Sequence, residues 1–401
     1  MGLVVQKFGG SSVADAERVR RVAGIIADTY CEGNNVVVVL SAQGDTTDDL
    51  IEKAKELNPT PSKREMDMLL STGEQISIAL CAMALEKMGL PVVSLTGWQA
   101  GITTSSDFGS ARIRRIKTSR IQNELDKKNI VIVAGFQGIT RTGEITTLGR
   151  GGSDTSAVAL AAALNADVCQ IYTDVEGVFT CDPRKVPGAR KLEEITYDEM
   201  LELASMGAKV LHNRSVEMAK KYGVNLEVLS SFVRKPGTIV KEVTKVEGTK
   251  ISGIAVDDDV ARITVVGVKD EPGVAFKIFR VMAREKINVD LIIQSLGKNN
   301  EQDISFTISK DDLDKAVNAL GEYEKSLHFD HISTDTDVAK VSIVGAGIMS
   351  ASGIAATMFE ALYNAKINIL MISTSEIKVS VLIPAKDADL AVKAIHDKFF
   401  E

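Results

Sequence analysis

Two glycine-rich segments carry the residues best suited to chemistry. Lys7-Phe8-Gly9-Gly10-Ser11-Ser12 follows an apolar run, and Gly149-Arg150-Gly151-Gly152-Ser153-Asp154-Thr155-Ser156 precedes an Ala-rich one at 157–164. Glycines let backbone N–H groups approach an anion closely, and a helix start carries partial positive charge, so each segment predicts a phosphate cradle. Lys7 and Arg150 add a full charge at each mouth. A lone Gly-Gly turn is more often a plain tight turn; two, each with a cation and hydroxyls, point to phosphate. Absences narrow the chemistry. No G-x-x-x-x-G-K-[ST] occurs, no G-x-G-x-x-G follows a strand, and H-R-D and D-F-G are missing, which argues against P-loop, Rossmann and protein-kinase chemistry.

Composition sets the wider limits. The chain has 401 residues, 45% hydrophobic and 25% charged, the balance of a globular protein with two or three domains. Its 47 Lys and Arg against 54 Asp and Glu leave a net charge of −7, the wrong sign for a nucleic-acid or membrane-surface partner. No run approaches the roughly 18 apolar residues of a membrane span, and residues 1–8 run straight into a strand with no signal peptide, so a cytoplasmic protein is expected. Cys31, Cys81, Cys169 and Cys181 lie far apart, as do His212, His328, His331 and His396. A disulfide scaffold, a zinc site and a His-based triad are therefore not expected, and no metal ligands are assigned.

The elements that must position the two loops read as alternating strands and helices. Apolar, Val- and Ile-rich runs at 3–8, 36–41, 91–95, 130–134, 168–173 and 226–230 predict strands, and 15–30, 64–88 and 108–127 predict helices. Near-continuous apolar strands alternating with helices predict an α/β domain with a mainly parallel sheet covered by helices. That block ends near Pro236-Gly237. The expected division is a first domain at 1–245, a second at 246–330 and a third at 331–401, with a strand near 251–257 as a candidate to complete the third.

The last 150 residues contain a repeat. Gly273-Val-Ala-Phe-Lys-Ile-Phe returns 80 residues later as Gly353-Ile-Ala-Ala-Thr-Met-Phe, Lys286-Ile-Asn-Val as Lys366-Ile-Asn-Ile, and Ser295 as Ser375. Each copy reads as an α+β unit of order βαββ. Two readings stand side by side: a duplicated module that only adds stability, or a paired small-ligand sensor with sites where the copies meet.

The two glycine segments together resemble the signature pair of the aspartate kinases, within the amino-acid kinase superfamily. Tyr172-Thr-Asp-Val-Glu-Gly-Val-Phe-Thr-Cys-Asp-Pro-Arg184 resembles that family's nucleotide-binding segment. Asp270-Glu-Pro-Gly273 and Ile372-Ser-Thr-Ser-Glu376 resemble its tandem ACT domains, of ferredoxin-like fold, which bind amino acids. The likeness covers essentially the whole chain.

The resemblance implies transfer of the ATP γ-phosphoryl group to the side-chain carboxylate of L-aspartate. That acceptor is already ionised at neutral pH, so the reaction needs charge neutralisation and positioning rather than a general base. By resemblance, Lys7 and Asp154 are catalytic, with Asp154 organising the cationic groups, and Phe8, Gly9, Gly10 and Ser11 join Lys7 around the phosphates. Thr173, Asp174, Phe179, Arg184 and Lys209 surround the nucleotide, whose phosphates carry Mg²⁺. Arg150 clamps the substrate α-carboxylate, Glu74 takes its ammonium, and Ser41, Thr47, Gly151 and Ser153 line the same pocket. Taken alone, Glu74 reads as a solvated helix residue, Asp174 and Asp182 as turn residues, and Phe179 equally as core.

Asp270 sits at the turn before the first repeat's helix, where a carboxylate can grip an effector's ammonium. Asn288, Val289, Asp290 and Gln294 match the family's first effector segment, and Asn368, Ile369, Ser375 and Glu376 the second. The implied effector is lysine, threonine, both together or another amino acid, and the strand edges that a βαββ unit leaves exposed predict a homo-oligomer joined through 261–401. One departure stands out: Ser350-Ala351-Ser352-Gly353 replaces the Ser-His-Pro-Gly common in relatives, which puts ligand binding by the second repeat in question. Rival readings are another amino-acid kinase of the glutamate 5-kinase type, or a non-catalytic amino-acid sensor. Intact Lys7, Glu74, Arg150 and Asp154 favour the enzyme, and a fused homoserine dehydrogenase is not expected in 401 residues.

Overall fold

Residues 2–205, 210–243, 251–296, 301–323, 328–348 and 351–400 are described by a computed structural model. The chain divides into two units, the first made of Met1–Phe179, Lys191–Ala204 and Lys209–Glu247, the second of Thr180–Arg190, Ser205–Ala208 and Gly248–Glu401.

The first unit begins β1 (Leu3–Phe8), α1 (Ala16–Cys31), β2 (Asn35–Leu40), α2 (Thr46–Leu57), α3 (Lys63–Lys87), β3 (Val92–Leu95), β4 (Ile102–Thr104), β5 (Ile113–Ile116), α4 (Ser119–Asp126) and β6 (Ile130–Ala134). It continues β7 (Gln137–Ile139), β8 (Ile145–Thr147), α5 (Gly152–Leu164), β9 (Val168–Thr173), β10 (Glu194–Thr196), α6 (Tyr197–Ser205), α7 (Asn213–Tyr222), β11 (Leu226–Ser230) and β12 (Thr238–Lys241). Eight strands form one sheet in the order β10-β12-β11-β9-β1-β2-β6-β3, and every pairing except β11 with β12 is parallel.

Burial explains why these runs are strands. Val36 to Leu40 are all fully buried, as an interior strand covered on both faces requires. Val36, Val38 and Leu40 pack with α1 and α3 in one core, together with Phe8, Ile130 and Ile132. Val37 and Val39 alternate to the opposite face, and α5 packs on β1, β2 and β9. From β1 the sheet grows through β2 on one side and β9 on the other. A parallel sheet opens a crevice at the C-terminal end of its strands where the order reverses in this way. Both glycine-rich segments lie at that end.

Two expectations need correction. Residues 108–127 do not form one helix: β5 occupies their middle and only α4 is helical. Arg112, Arg114 and Arg115 blur a short alternating run, and pairing of Ile102 with Ile116 and Thr103 with Arg115 decides for strand. β5 belongs to a small sheet, β5-β4-β7-β8, whose strands of three or four residues are too brief to show a period. Second, α3 is long and apolar enough to cross a bilayer by composition alone. It is a core helix: it buries Asp67, Ser71, Gly73 and Glu74 and packs on β3, β6 and β8.

The second unit runs β13 (Gly253–Asp257), β14 (Ala261–Lys269), α8 (Val274–Arg284), β15 (Ile292–Leu296), β16 (Glu301–Ile308), α9 (Leu313–Gly321) and β17 (His331–Asp335). It ends β18 (Val338–Val344), α10 (Ile354–Asn364), β19 (Met371–Thr374), β20 (Lys378–Pro384) and α11 (Ala388–Phe400). Two antiparallel four-stranded sheets result, β15-β16-β14-β17 and β13-β18-β20-β19. Each copy of the repeat thus has a second helix and a fourth strand beyond the expected βαββ order. The fourth strand of the later copy is β13, which precedes the earlier copy in sequence, while β17 pairs with β14 and extends the first sheet past residue 330. The duplication is visible in the backbone: Gly273 and Gly353 have φ of +97° and +89°, and Lys286 and Lys366 have φ of +58° and +59°.

Candidate active site

Lys7 ends β1 and Asp154 lies in the first turn of α5; Lys7 Nζ and Asp154 Oδ1 are 2.6 Å apart, each side chain 12% exposed. The Lys7 ammonium also reaches back to 3.5 Å from where a Cβ on Gly9 would lie. At Gly10 a Cβ would fall 2.6 Å from the Ala42 carbonyl oxygen, so only glycine lets the first loop meet the segment after β2. Gly44 N donates to Gly10 O at 3.1 Å and Ser41 N to Phe8 O at 3.2 Å, which fixes Ser41 beside that loop. Ser11 and Ser12 continue into a short 3-10 turn, where Ser12 Oγ bonds Ser231 Oγ at 2.8 Å and ties the loop to the end of β11. The Phe8 ring stacks on Tyr172 at 4.5 Å, a core role.

Glu74 is carried inward by α3 and is 3% exposed. Its Oε1 accepts from Ala42 N at 3.2 Å, and its Oε2 has no hydrogen-bond partner among the described residues. Burial pushes its carboxyl up to about 7, and the Ala42 N–H only partly opposes that. Gly73 makes the approach possible, since a Cβ there would lie 2.9 Å from Ala42 Cβ. Thr47 sits half-buried in the first turn of α2.

The second loop is held from three sides, by residues that the sequence reading missed. Asp67 on α3 is fully buried and accepts from Thr147 N, Thr147 Oγ1 and Gly109 N at 2.7–3.0 Å, anchoring β8 where the loop begins. Arg214 on α7 donates to Leu148 O at 2.5 Å and to Ala111 O at 3.1 Å. His212, the N-cap of α7, covers Gly151: a Cβ there would fall 2.1 Å from the imidazole Cγ. Ser153 is fixed against Gly135, where a Cβ would lie 2.7 Å from Ser153 Oγ. Gly149 and Gly151 have φ of +77° and +69°, and Arg150 between them is exposed. An Asp within an otherwise apolar helical run was the one available sequence signal for Asp67; nothing local marked His212 or Arg214.

The segment after β9 divides. Thr173 Oγ1 donates to Asp174 Oδ1 at 3.0 Å at the mouth of the crevice, and Phe179 is half-buried, bridging to Lys191. Arg184 pairs with Asp182 at 2.9 Å in Thr180–Arg190, a stretch whose Cys181 and Val186 enter the hydrophobic core of the second unit. Lys209 lies outside the described residues.

In the second unit, Asp270 and Gln294 line one cavity of about 330 Å³ with Glu271, Gly273 and Gln302. Gln294 donates to Gln302 Oε1. Asn288 and Val289 lie in the turn after α8. Asp290 has an internal partner, the ammonium of Lys340, which is buried and also 3.4 Å from Asp257. In the later copy Asn368, Ser375 and Glu376 are exposed, and Ile369 packs against the core. The turn before α10 is described only from Ala351 on.

A parallel sheet with a cationic glycine loop at its switch point, an acid-anchored lysine and two trailing α+β repeats defines a class, the small-molecule kinases with an appended pair of α+β modules. The comparisons agree: the amino acid kinase family model matches residues 2–230, and the ACT domain model matches 263–323 and 341–399. An aspartokinase of Bacillus sp. (strain MGA3) is 53% identical over 400 residues, spanning 100% of this chain and 97% of the relative. E. coli aspartokinase III in complex with aspartate and ADP is 27% identical with a TM-score of 0.83, over 100% of both chains. The same enzyme in complex with lysine and aspartate has a TM-score of 0.76 at 27% identity, again over 100% of both. The chain belongs to the aspartokinase family and is a phosphotransferase.

Proposed function

We propose that the crevice transfers the γ-phosphoryl group of ATP to the side-chain carboxylate of L-aspartate. The observation that carries this is Glu74, a buried carboxylate with one oxygen unpartnered among the described residues, whose donor Ala42 lies against Gly10 of the Lys7 loop. A buried acid with a free oxygen favours a cation, and the ammonium of an amino acid supplies one. Arg150 offers a planar two-point fork for the α-carboxylate. With both ends of the amino acid held, its side-chain carboxylate faces Lys7, whose charge offsets that of the transferring group. Asp154 keeps the ammonium of Lys7 at the strand end. Gly9, Gly10 and Ser11 present donors to the phosphates, and Thr173, Asp174, Phe179 and Lys209 are proposed around the nucleotide; Arg184, expected there too, belongs to the second unit and pairs with Asp182.

Mg²⁺ fits as an ion carried by the nucleotide. Among the described residues no group of three or more His, Cys, Asp or Glu can hold a metal, and Mg²⁺ commonly keeps phosphate and water ligands with one or two carboxylates. When bound, it supplies further charge neutralisation on the phosphates.

Regulation belongs to the repeats in this reading: 1–245 catalyses, while 246–330 and 331–401, with 251–257, sense. Asp270, Gln294 and the backbone near Val289 take an amino-acid effector, with Asn288, Asp290, Asn368, Ile369, Ser375 and Glu376 as further contacts. The lysine complex of E. coli aspartokinase III supports lysine as one effector. The exposed apolar Ile292 and Ile372 occupy equivalent places on β15 and β19, both edge strands, which supports a homo-oligomer formed through this unit.

The test is a hydroxamate assay with ATP, Mg²⁺ and either L-aspartate or L-glutamate, titrated with lysine and threonine separately and together. Turnover specific to aspartate supports the proposal. Equal turnover of glutamate, or none of aspartate, overturns it.

A further inference from the structure

The guanidinium of Arg150 makes no hydrogen bond or ion pair among the described residues, so its direction depends on the backbone that carries it. That backbone is weak by composition. Gly149 and Gly151 flank Arg150 in left-handed conformations, and glycine loses more freedom on ordering than any other residue. Something outside the loop must hold it.

We infer that His212, assisted by Arg214, is the positioning residue that sets the aim of Arg150. His212 lays its Cβ, Cγ and Cδ2 where a Gly151 side chain would otherwise project, at 2.1–2.4 Å from that Cβ position. Arg214 holds the Leu148 carbonyl, just before Gly149. The loop is thus fixed on both sides of Arg150 by two residues of one helix start. Ring and cap are separable functions of His212, because its Nδ1 also accepts from Arg214 N at 3.4 Å to begin α7. Burial lowers the imidazole pKa; nearby Asp154 opposes this, while Arg214 and Arg150 add to it. A neutral ring adds no like charge beside Arg150. A pre-aimed fork gains affinity by having less to order on binding.

This rests on the proposed role of Arg150, so the test measures both. His212→Asn keeps an N-cap acceptor but removes the ring; His212→Phe keeps the ring and removes the acceptor. Steady-state kinetics should show KM for aspartate raised about tenfold in His212→Asn, with kcat and KM for ATP within about twofold. His212→Phe should keep the aspartate KM near wild type and lower the melting temperature. In an Arg150→Lys background, His212→Asn should add less than about twofold, because it acts through Arg150. Unchanged aspartate KM in His212→Asn overturns the inference while Arg150→Lys still reports on the clamp. So does a full additive loss in the double variant, or a parallel rise in both KM values. If Arg150→Lys itself leaves aspartate KM unchanged, the clamp fails and this inference with it.

Discussion

The Lys7 ammonium and the Asp154 carboxylate stand 2.6 Å apart, joining the end of the first strand to the first turn of α5. Each belongs to a different glycine loop, so this one pair brings the two loops into a single crevice. The charge on Lys7 is held in place rather than left to sample solvent.

Lys7→Met keeps most of the stem length and removes that charge. Its loss should appear in kcat at saturating ATP and aspartate, by about 100-fold or more, because stabilisation of developing charge acts mainly in the transition state. A variant with normal kcat in the coupled assay would make the first loop merely structural.

Arg150→Lys preserves charge and loses the fork. KM for aspartate should rise about 30-fold, equivalent to about 2 kcal/mol for a charged hydrogen bond, with KM for ATP little changed. Equal rises in both would reassign Arg150 to the phosphates.

Glu74 makes two pH predictions. Because burial raises its carboxyl from 4.5 to about 7, the free enzyme must ionise it before an ammonium can bind. Aspartate kcat/KM should therefore climb with pH and level off above about 7.

The same shift sets stability. A raised folded-state pKa contributes stability present below about 4.5 and lost as pH rises through about 7, on the order of 3 kcal/mol. Glu74→Gln escapes that loss. In thermal melts without substrate, the variant should match wild type near pH 5 and exceed it by pH 8; a gap independent of pH would argue against a buried, ionisable Glu74.

Asp270→Ala should raise the effector concentration for half-inhibition by about tenfold, the loss expected for one charged hydrogen bond to the effector's ammonium. An unchanged inhibition curve with lysine, threonine and their mixture would remove Asp270 from the effector site.

Much was legible in the sequence because it depends on local rules. Apolar runs such as Val36–Leu40 carry their strand assignment in composition, glycines at Gly9, Gly10, Gly149 and Gly151 mark backbone that must approach closely or turn left-handed, and the 80-residue offset marks the duplication. Tertiary structure alone decided the rest. β5 is a strand because β4 pairs with it, and β13 completes the later copy although the earlier one intervenes in sequence. Glu74 looks like any helical acid until α3 packs and removes its water. Asp67, His212 and Arg214 act on a loop far from them in the chain. Hydrogen bonds and steric cover between distant segments leave no periodicity to read, because their partners are chosen by packing, not by neighbours along the chain.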